Sequence, residues 1–441
     1  MKPLILFAVP VLLALFLQAM YGAADLLIVG KFASSADVSA VSTGSQIMMT
    51  LTNLVSSFAM GTTILLGQQI GSGRREEGGQ TVVTAAAMFA VIAVIMTLML
   101  VIFAPQVSRI MHAPEEAFDK TVDYVRVCGA GMLVIVAYNL IGSIFRGTGD
   151  SRTPLLTVAI ACICNIGGDL LLCVGFDMGA KGAAIATVFA QVISVIASFL
   201  FIRRKELPFV ISKDSMDVSR HSLRRMVGLG TPIALQDLLV SISFLIILAI
   251  VNSMGLIASA GVGVAEKVCA FIMLISTAFM QSMSAFVAQN YGAGHIDRAK
   301  KALHYGMIVS FVIGVGMFFL SFFHGDILSG IFSSDPSVVA AGAEYLRAYA
   351  IDCMFTAIFF CYIGFYNGIG RTKFVMIQGI IGAFGVRLPV SYLMSIQPDA
   401  SLFKIGLATP MSSVLQLILC VGFMMVLNRR ERMERKLSEE K

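Results

Sequence analysis

The chain has 441 residues, of which 13% are charged and 57% apolar, and a formal charge of +6. A soluble protein carries about a quarter charged residues, so water is not its main solvent and no large soluble domain fits between the apolar runs. The basic residues sit between those runs and are not gathered on one solvated face, which excludes a nucleic-acid binder.

Apolar stretches of about 20 residues, enough to cross about 30 Å of hydrocarbon as helix, recur from end to end. They predict an all-α membrane protein of twelve transmembrane helices. The first span is expected at 4–29. Lys2, the apolar run after it and the small residues Gly22 to Ala24 resemble a signal peptide, but the run continues through Leu26 to Val29 and the second half holds a counterpart, so the span is expected to be kept. Gln18, Tyr21 and Asp25 follow at steps of three and four, which puts them on one helical stripe. Pro10, below them, can bend the helix and so move Asp25.

Spans two to four are expected at 39–68, 82–104 and 122–144, the fourth carrying Asn139. Span five, at 154–175, holds Asn165 and Asp169 on one face, and span six, at 183–202, holds Thr187. Counted from the span ends at about 1.5 Å per residue, Asp25, Asp169 and Thr187 fall in the same outer half of the membrane, so one cluster can contain them. An acid near the bilayer centre costs about 2.5 to 3.5 kcal/mol and tends to face a cavity or a partner. Two carboxylates in a poorly solvated pocket cannot both ionise cheaply, which is the chemistry of a proton-coupled site. The same oxygens, with Tyr21, Asn165 and Thr187, could ligate Na⁺ instead. The plainer alternative is that both acids only hydrogen-bond neighbouring helices.

The longest hydrophilic link, Arg203 to Arg225, precedes six further spans at 227–253, 258–289, 304–323, 341–366, 374–396 and 405–427. The two halves repeat at an offset of 221 residues: Gln68-Gln69-Ile70-Gly71-Ser72-Gly73 returns as Gln289-Asn290-Tyr291-Gly292-Ala293-Gly294, Tyr124-Val125-Arg126 as Tyr345-Leu346-Arg347, and Gly147-Thr148-Gly149 as Gly368-Ile369-Gly370. Six spans per half make the repeat parallel, with its pseudo-two-fold along the membrane normal. The expected organisation is a six-helix lobe at 1–202, a cytoplasmic linker at 203–226, a second six-helix lobe at 227–428 and a basic tail at 429–441. Of the 32 basic residues, 23 fall at the N-terminus, in every second loop and in the tail, so both termini are expected in the cytoplasm.

The second lobe reads differently. Arg387 falls on Ile166, beside Asn165, when shifted by the repeat; Asp352 of span ten lies at similar depth, and the two are expected to form a structural ion pair. Asp237, about twelve residues into span seven, is an unassigned acid within the membrane. With Gln18 and Asn139 it is a candidate substrate or lobe contact, a packing role being the alternative. Glu266 and Lys267 sit near the outer mouth. The cysteines lie in or beside apolar spans without a metal-binding spacing and read as packing residues; the five histidines are scattered in or near loops, which argues against an enzyme. Met and Phe, at 26 and 31 residues, could line a pliable cleft.

Taken together, Pro10, Gln18, Tyr21 and Asp25 of the first span, Gly67-Gln68-Gln69-Ile70-Gly71-Ser72-Gly73 after the second and Phe145-Arg146-Gly147-Thr148-Gly149-Asp150 after the fourth resemble the MATE family (multidrug and toxic compound extrusion), over essentially the whole chain. The resemblance implies cation coupling at Asp25 with a bend at Pro10, and the branch of the family with an Asn-x3-Asp on span five matches Asn165 and Asp169, with Thr187 as a further partner. Another branch uses acids on spans seven and ten, positions that Asp237 and Asp352 do not clearly match. The expected function is secondary antiport in the cytoplasmic membrane, exporting amphipathic, cationic, drug-like compounds against H⁺ or Na⁺, as a monomer in the lipid bilayer without cofactor or bound metal other than Na⁺. A lipid-linked precursor flippase of the same superfamily is the nearest alternative, and an integral membrane enzyme a more distant one.

Overall fold

The computed structural model describes residues 2–210 and 217–439; Lys213 of the linker and Lys441 of the tail, both among the basic residues expected in the cytoplasm, lie outside the described residues. Every regular element among the described residues is a helix. Eleven helices are long and apolar enough to cross a bilayer, and twelve spans result when one bent pair is counted as a single crossing. In chain order they are α1 (Lys2–Phe32), α2 (Ser35–Gly71), α3 (Arg75–Ile110), α4 (Glu115–Ala130), α5 (Met132–Thr148), α6 (Arg152–Asp169), α7 (Gly179–Arg203), α8 (Arg220–Asn252), α9 (Leu256–Gly292), α10 (Ile296–Phe323), the short α11 (Gly325–Gly330), α12 (Pro336–Gly368), α13 (Thr372–Ile380), α14 (Leu388–Ser395), the short α15 (Leu402–Gly406) and α16 (Ala408–Glu439).

Three departures from regular helices shape the bundles. The span expected at 122–144 is bent: α4 and α5 meet at Gly131 with an angle of 54°, at a residue that contributes no side chain and little helix propensity. A wide π turn, Leu170–Gly175, comes directly after Asp169 at the end of α6. In the second half a π turn, Ile381–Arg387, joins α13 to α14 and ends on Arg387. Pro10, by contrast, leaves α1 a continuous helix.

Large apolar side chains exposed in rows, such as Val94, Ile95, Leu98 and Ile102 of α3, are the surface that hydrocarbon covers, since the backbone of each span is satisfied internally. The buried apolar clusters separate along the chain. One draws on residues from Val29 to Ala184 and adds Met226; two others draw on Ile247 to Cys420, joined by Leu4 at the start of α1. Leu4 shares its cluster with Phe423 and Leu427, so the two chain ends lie at one face, the terminal face.

The two bundles meet next to that face, and the repeated sequences make the joint. Gln68 Nε2 donates to the carbonyl of Gly368 at 2.9 Å, and its repeat partner Gln289 donates through Nε2 to the carbonyl of Gly147 at 2.9 Å. Arg225 Nη2 donates to Gln68 Oε1 at 3.1 Å. The backbones come so close that a Cβ on Gly71 would stand 2.0 Å from the carbonyl oxygen of Gln289, and one on Gly292 would stand 2.0 Å from that of Gln68. No residue but glycine permits this approach. Met60, Ile64, Ile233 and Ala288 seal the next layer. Among the described residues, the hydrogen bonds and apolar clusters that cross between the bundles end at Ser57 and Asp237.

Loops at the terminal face are pinned by side chains. Asp150 accepts through Oδ1 from the backbone N–H of Arg152 at 3.0 Å and of Thr153 at 3.1 Å, capping α6, and through Oδ2 from Lys205 Nζ at 2.6 Å. Partial burial pushes this carboxyl up, but Lys205 and Thr153 outweigh it and hold it below the usual carboxylate range.

The seam and the cap can each be tested by a single substitution. Gly71→Val is expected to drive the bundles apart at the terminal face, shifting the distance between spin labels on Ser72 and Ala293 outward and cutting transport by about tenfold or more; an unchanged distance distribution would contradict the close-packed seam. Asp150→Ala is expected to cost about 1 kcal/mol in thermal unfolding in detergent. Because folding lowers this carboxyl's pKa, the loss is full above about pH 4 and vanishes as the pH falls through the lower folded value; a loss that persists in acid would refute the cap.

Candidate functional site

The cluster expected from helical spacing is present. Asp25 near the far end of α1, Asn165 and Asp169 at the end of α6 and Thr187 about two turns into α7 converge in the half of the first bundle away from the terminal face. Asp25 is 4% exposed, Asn165 1% and Asp169 0%. Thr187 Oγ1 lies 3.2 Å from Asp25 Oδ2 and 2.9 Å from the Ala183 carbonyl, so its single hydrogen serves one acceptor at a time. Asn165 Nδ2 donates to Thr187 Oγ1 at 3.4 Å and also reaches Asp25. The Asp25 and Asp169 carboxyls face each other within hydrogen-bonding reach.

Donors are scarce. Asp25 Oδ1, both oxygens of Asp169 and Asn165 Oδ1 are buried without a hydrogen-bond donor. Buried acceptors that lack donors carry a desolvation cost of about 1 to 3 kcal/mol each, more when charged. A proton shared by the carboxyls removes one charge and supplies one donor; a small cation held by carboxylate, amide and hydroxyl oxygens removes the same deficit. Either addition would relieve the shortage of donors. The π turn after Asp169 shifts the backbone at the point where that side chain must reach α1, a use of such turns common at functional sites.

The rest of the α1 stripe faces inward as well. Tyr21 lies against Gln191 of α7, and Gln18 Nε2 donates to Tyr138 OH at 2.7 Å. Asn139 caps nothing beyond its own helix, donating through Nδ2 to the Ile135 carbonyl at 2.8 Å. Gln18 and Asn139 both line a cavity of about 60 Å³ bounded by α1, α5, α6 and α9. Val11, next to Pro10, lines it too. Asp237 is apart from the coupling cluster: it is exposed at the seam, where Ser57 of α2 donates to its carboxylate.

One expectation fails. Asp352 and Arg387 are both buried but form no ion pair; each charge feels the other at a distance. Thr356 Oγ1 donates to Asp352 Oδ2 at 2.7 Å, while Arg387 Nη1 donates to Ser243 Oγ at 3.3 Å and its guanidinium carbon stands 4.5 Å from the centre of the Phe244 ring. Depth alone put these residues side by side; the π turn that ends on Arg387 aims its side chain toward α8 instead. A second reading also changes. Arg146, counted from the sequence as a loop cation, belongs to α5 and turns back into the bundle, where Nη2 donates to Ser143 Oγ at 3.0 Å. Tyr138, Gln191, Ser57 and Arg146 are the site-lining residues that sequence reasoning passed over, and the adjacency of Tyr138 to Asn139 was the one visible signal.

The sequence model of the MatE family matches residues 10–171 and 232–393, one match in each repeat. The chain is 23% identical over 425 residues to the probable multidrug resistance protein YoeA of Bacillus subtilis (strain 168), covering 95% of this chain and 92% of that protein. It is 26% identical over 311 residues to a FAD transporter of Shewanella oneidensis, covering 68% of each. Among solved structures it is similar to an outward-facing multidrug resistance MATE transporter of the MOP superfamily, with a TM-score of 0.90 at 20% identity over 97% of this chain and 95% of that one.

The separate partners of Asp352 and Arg387 predict the result of exchanging their charges. Either single reversal should lower the amount of folded protein in the membrane, because each strands a buried charge, and the double variant Asp352→Arg with Arg387→Asp should recover none of it. Recovery to the wild-type amount in a membrane immunoblot would mean that the two side chains do pair.

Proposed function

The chain belongs to the MATE family and is a multi-pass membrane transporter of small molecules, not an enzyme, and on that premise we propose that it is a secondary antiporter whose coupling cation binds at Asp25 and Asp169. Tyr21, Asn165 and Thr187 complete the set, and Pro10 lets α1 bend as the site fills and empties. The observation that carries this reading is the group of buried oxygens without donors on Asp25, Asp169 and Asn165. They favour H⁺ or Na⁺ equally by chemistry, so the coupling ion is whichever the membrane gradient offers at sufficient concentration.

In this reading the two lobes, 1–202 and 227–428, rock about the seam at the terminal face, which is cytoplasmic. The linker 203–226 and tail 429–441 stay on that side, and the protein works as a monomer in the cytoplasmic membrane without a cofactor. With the seam closed, the cleft and the acidic cluster lie toward the outside, the arrangement that accepts a cation from the medium and releases cargo. Each charge that crosses down about 100 mV supplies about 2.3 kcal/mol, sufficient for one H⁺ or Na⁺ per cycle to sustain a useful gradient. Cargo is an amphipathic organic compound, as names such as multidrug resistance protein among the relatives suggest; Asp237, exposed at the seam, is suited to touch a cationic part of it. The relative named as a FAD transporter extends the range of cargo to compounds that also carry negative charge. Export is favoured over flipping of lipid-linked precursors by the count of up to twelve spans and by the acidic cluster in the first lobe.

The test is ethidium efflux from everted membrane vesicles, with a pH gradient and a Na⁺ gradient imposed separately. Wild type should respond to at least one gradient, and Asp25→Asn should lose about tenfold or more of that response. Full activity of Asp25→Asn under both gradients would remove the acidic cluster from the mechanism.

A further inference from the structure

The coupling cluster leaves Arg146 unexplained. Its guanidinium is inside the first bundle, it makes no ion pair among the described residues, and its Nε is buried without an acceptor. Ser143 Oγ is the acceptor it does reach. A cation placed in the interior with one neutral partner carries an electrostatic deficit opposite in sign to that at Asp25 and Asp169.

Arg146 borders the cavity between α1, α5, α6 and α9, and no aspartate or glutamate lines that cavity. The other polar groups that do are neutral, among them Gln18, Tyr138, Asn139, Ser151 and, from the second lobe, Gln281. Gly142, one turn before Arg146, also lines it; Arg146 Nη1 occupies the space 3.4 Å from where a Cβ on that glycine would be. The absence of a side chain there lets the guanidinium lie along its own helix at the cavity wall. A cavity of about 60 Å³ has room for a few water-sized groups and so for a carboxylate or phosphate head. Gln281 is on α9, so the cavity is completed across the seam and comes apart when the lobes separate.

We infer that this cavity is a subsite for an anionic group, a carboxylate or phosphate, on a compound carried through the cleft, with Arg146 as its counter-charge and Gln18, Asn139 and Gln281 as neutral donors. The inference rests on the antiporter reading and narrows its cargo: beside cations, the transporter takes anionic or zwitterionic organic compounds. Guanidinium suits this task because its planar fork of donors matches a carboxylate or phosphate. The subsite draws its wall from both lobes, Arg146 on α5 and Gln281 on α9.

The test uses the full chain in proteoliposomes under the gradient that drives ethidium, with ethidium, carboxyfluorescein and a short-chain fluorescent phosphatidylglycerol followed separately. Wild type should move at least one of the two anions: carboxyfluorescein if the anion belongs to a soluble compound, phosphatidylglycerol if it belongs to a lipid. Arg146→Gln should raise the ratio of ethidium to that anion by about tenfold or more, and Arg146→Lys should restore part of it. Gln281→Glu, which leaves Arg146 in place but puts a carboxylate in the cavity, should raise the ratio in the same way. If wild type moves ethidium but neither anion, or if the Arg146 and Gln281 variants lower all probes in equal proportion, the subsite is wrong while the antiporter reading stands. If wild type moves none of the probes, both are overturned.

Discussion

Four buried oxygens without donors set the terms for this molecule. In hydrocarbon surroundings an acceptor cannot borrow a hydrogen bond from water, and Asp25, Asp169 and Asn165 present their free oxygens to one another. Two negative charges at that spacing repel strongly in a weak dielectric, so the cluster has low-energy states only with positive charge added. A fold that tolerates such a deficit must make it up from outside, and in the proposed mechanism the means is a cation drawn from the far side of the membrane. The helices that carry the oxygens, α1 and α6, both belong to one bundle, so a change in occupancy acts first on the packing within that bundle.

How that local change becomes movement depends on the seam. Gln68 and Gln289 exchange equivalent hydrogen bonds with the carbonyls of Gly368 and Gly147, and Gly71 and Gly292 allow the backbones to touch. These contacts bring together neutral groups at close range over one small apolar cluster, flanked by Met226 and Leu4, each of which enters the other lobe's larger cluster. Such a joint is specific in register yet does not depend on a deep interlocked core, which suits an interface that must open and re-form. Pseudo-symmetry contributes as well: because each lobe offers the other the same pair of partners, the joint can pivot about the two-fold without favouring either lobe.

Much of this was legible in the sequence, and the reasons are geometric. A helix fixes which residues share a face, so the steps of three and four between Gln18, Tyr21 and Asp25, and the step of four between Asn165 and Asp169, were enough to bring the acidic cluster together. The repeated Gln-x2-Gly pattern showed the duplication, but that it forms the seam could not be read until the lobes were set face to face. Depth is a weaker guide than face. Asp352 and Arg387 were matched by depth, and a π turn that ends on Arg387 rotates its side chain away from the pairing. Gly131 breaks the fourth span without a proline to announce it, and Arg146 was misplaced because a basic residue near a span end looks like a loop residue until the course of its side chain is known.

The two charge deficits share a helix. α1 presents Asp25 to the acidic cluster and, two turns nearer Pro10, Gln18 to the cavity that Arg146 borders. Val11 reaches the same cavity immediately beyond the proline. In the proposed mechanism, a bend at Pro10 during cation uptake would move one wall of the inferred anionic subsite at the same time. Uptake of a cation and release of cargo then need no relay through intervening side chains: one rigid rod bears on both sites, and the residue at which it can flex lies at the end of the rod next to the cavity. Coupling of this kind is set by the length of α1 between Pro10 and Asp25, which explains why the acidic cluster and the cavity can differ in charge, depth and partners while still being emptied in turn.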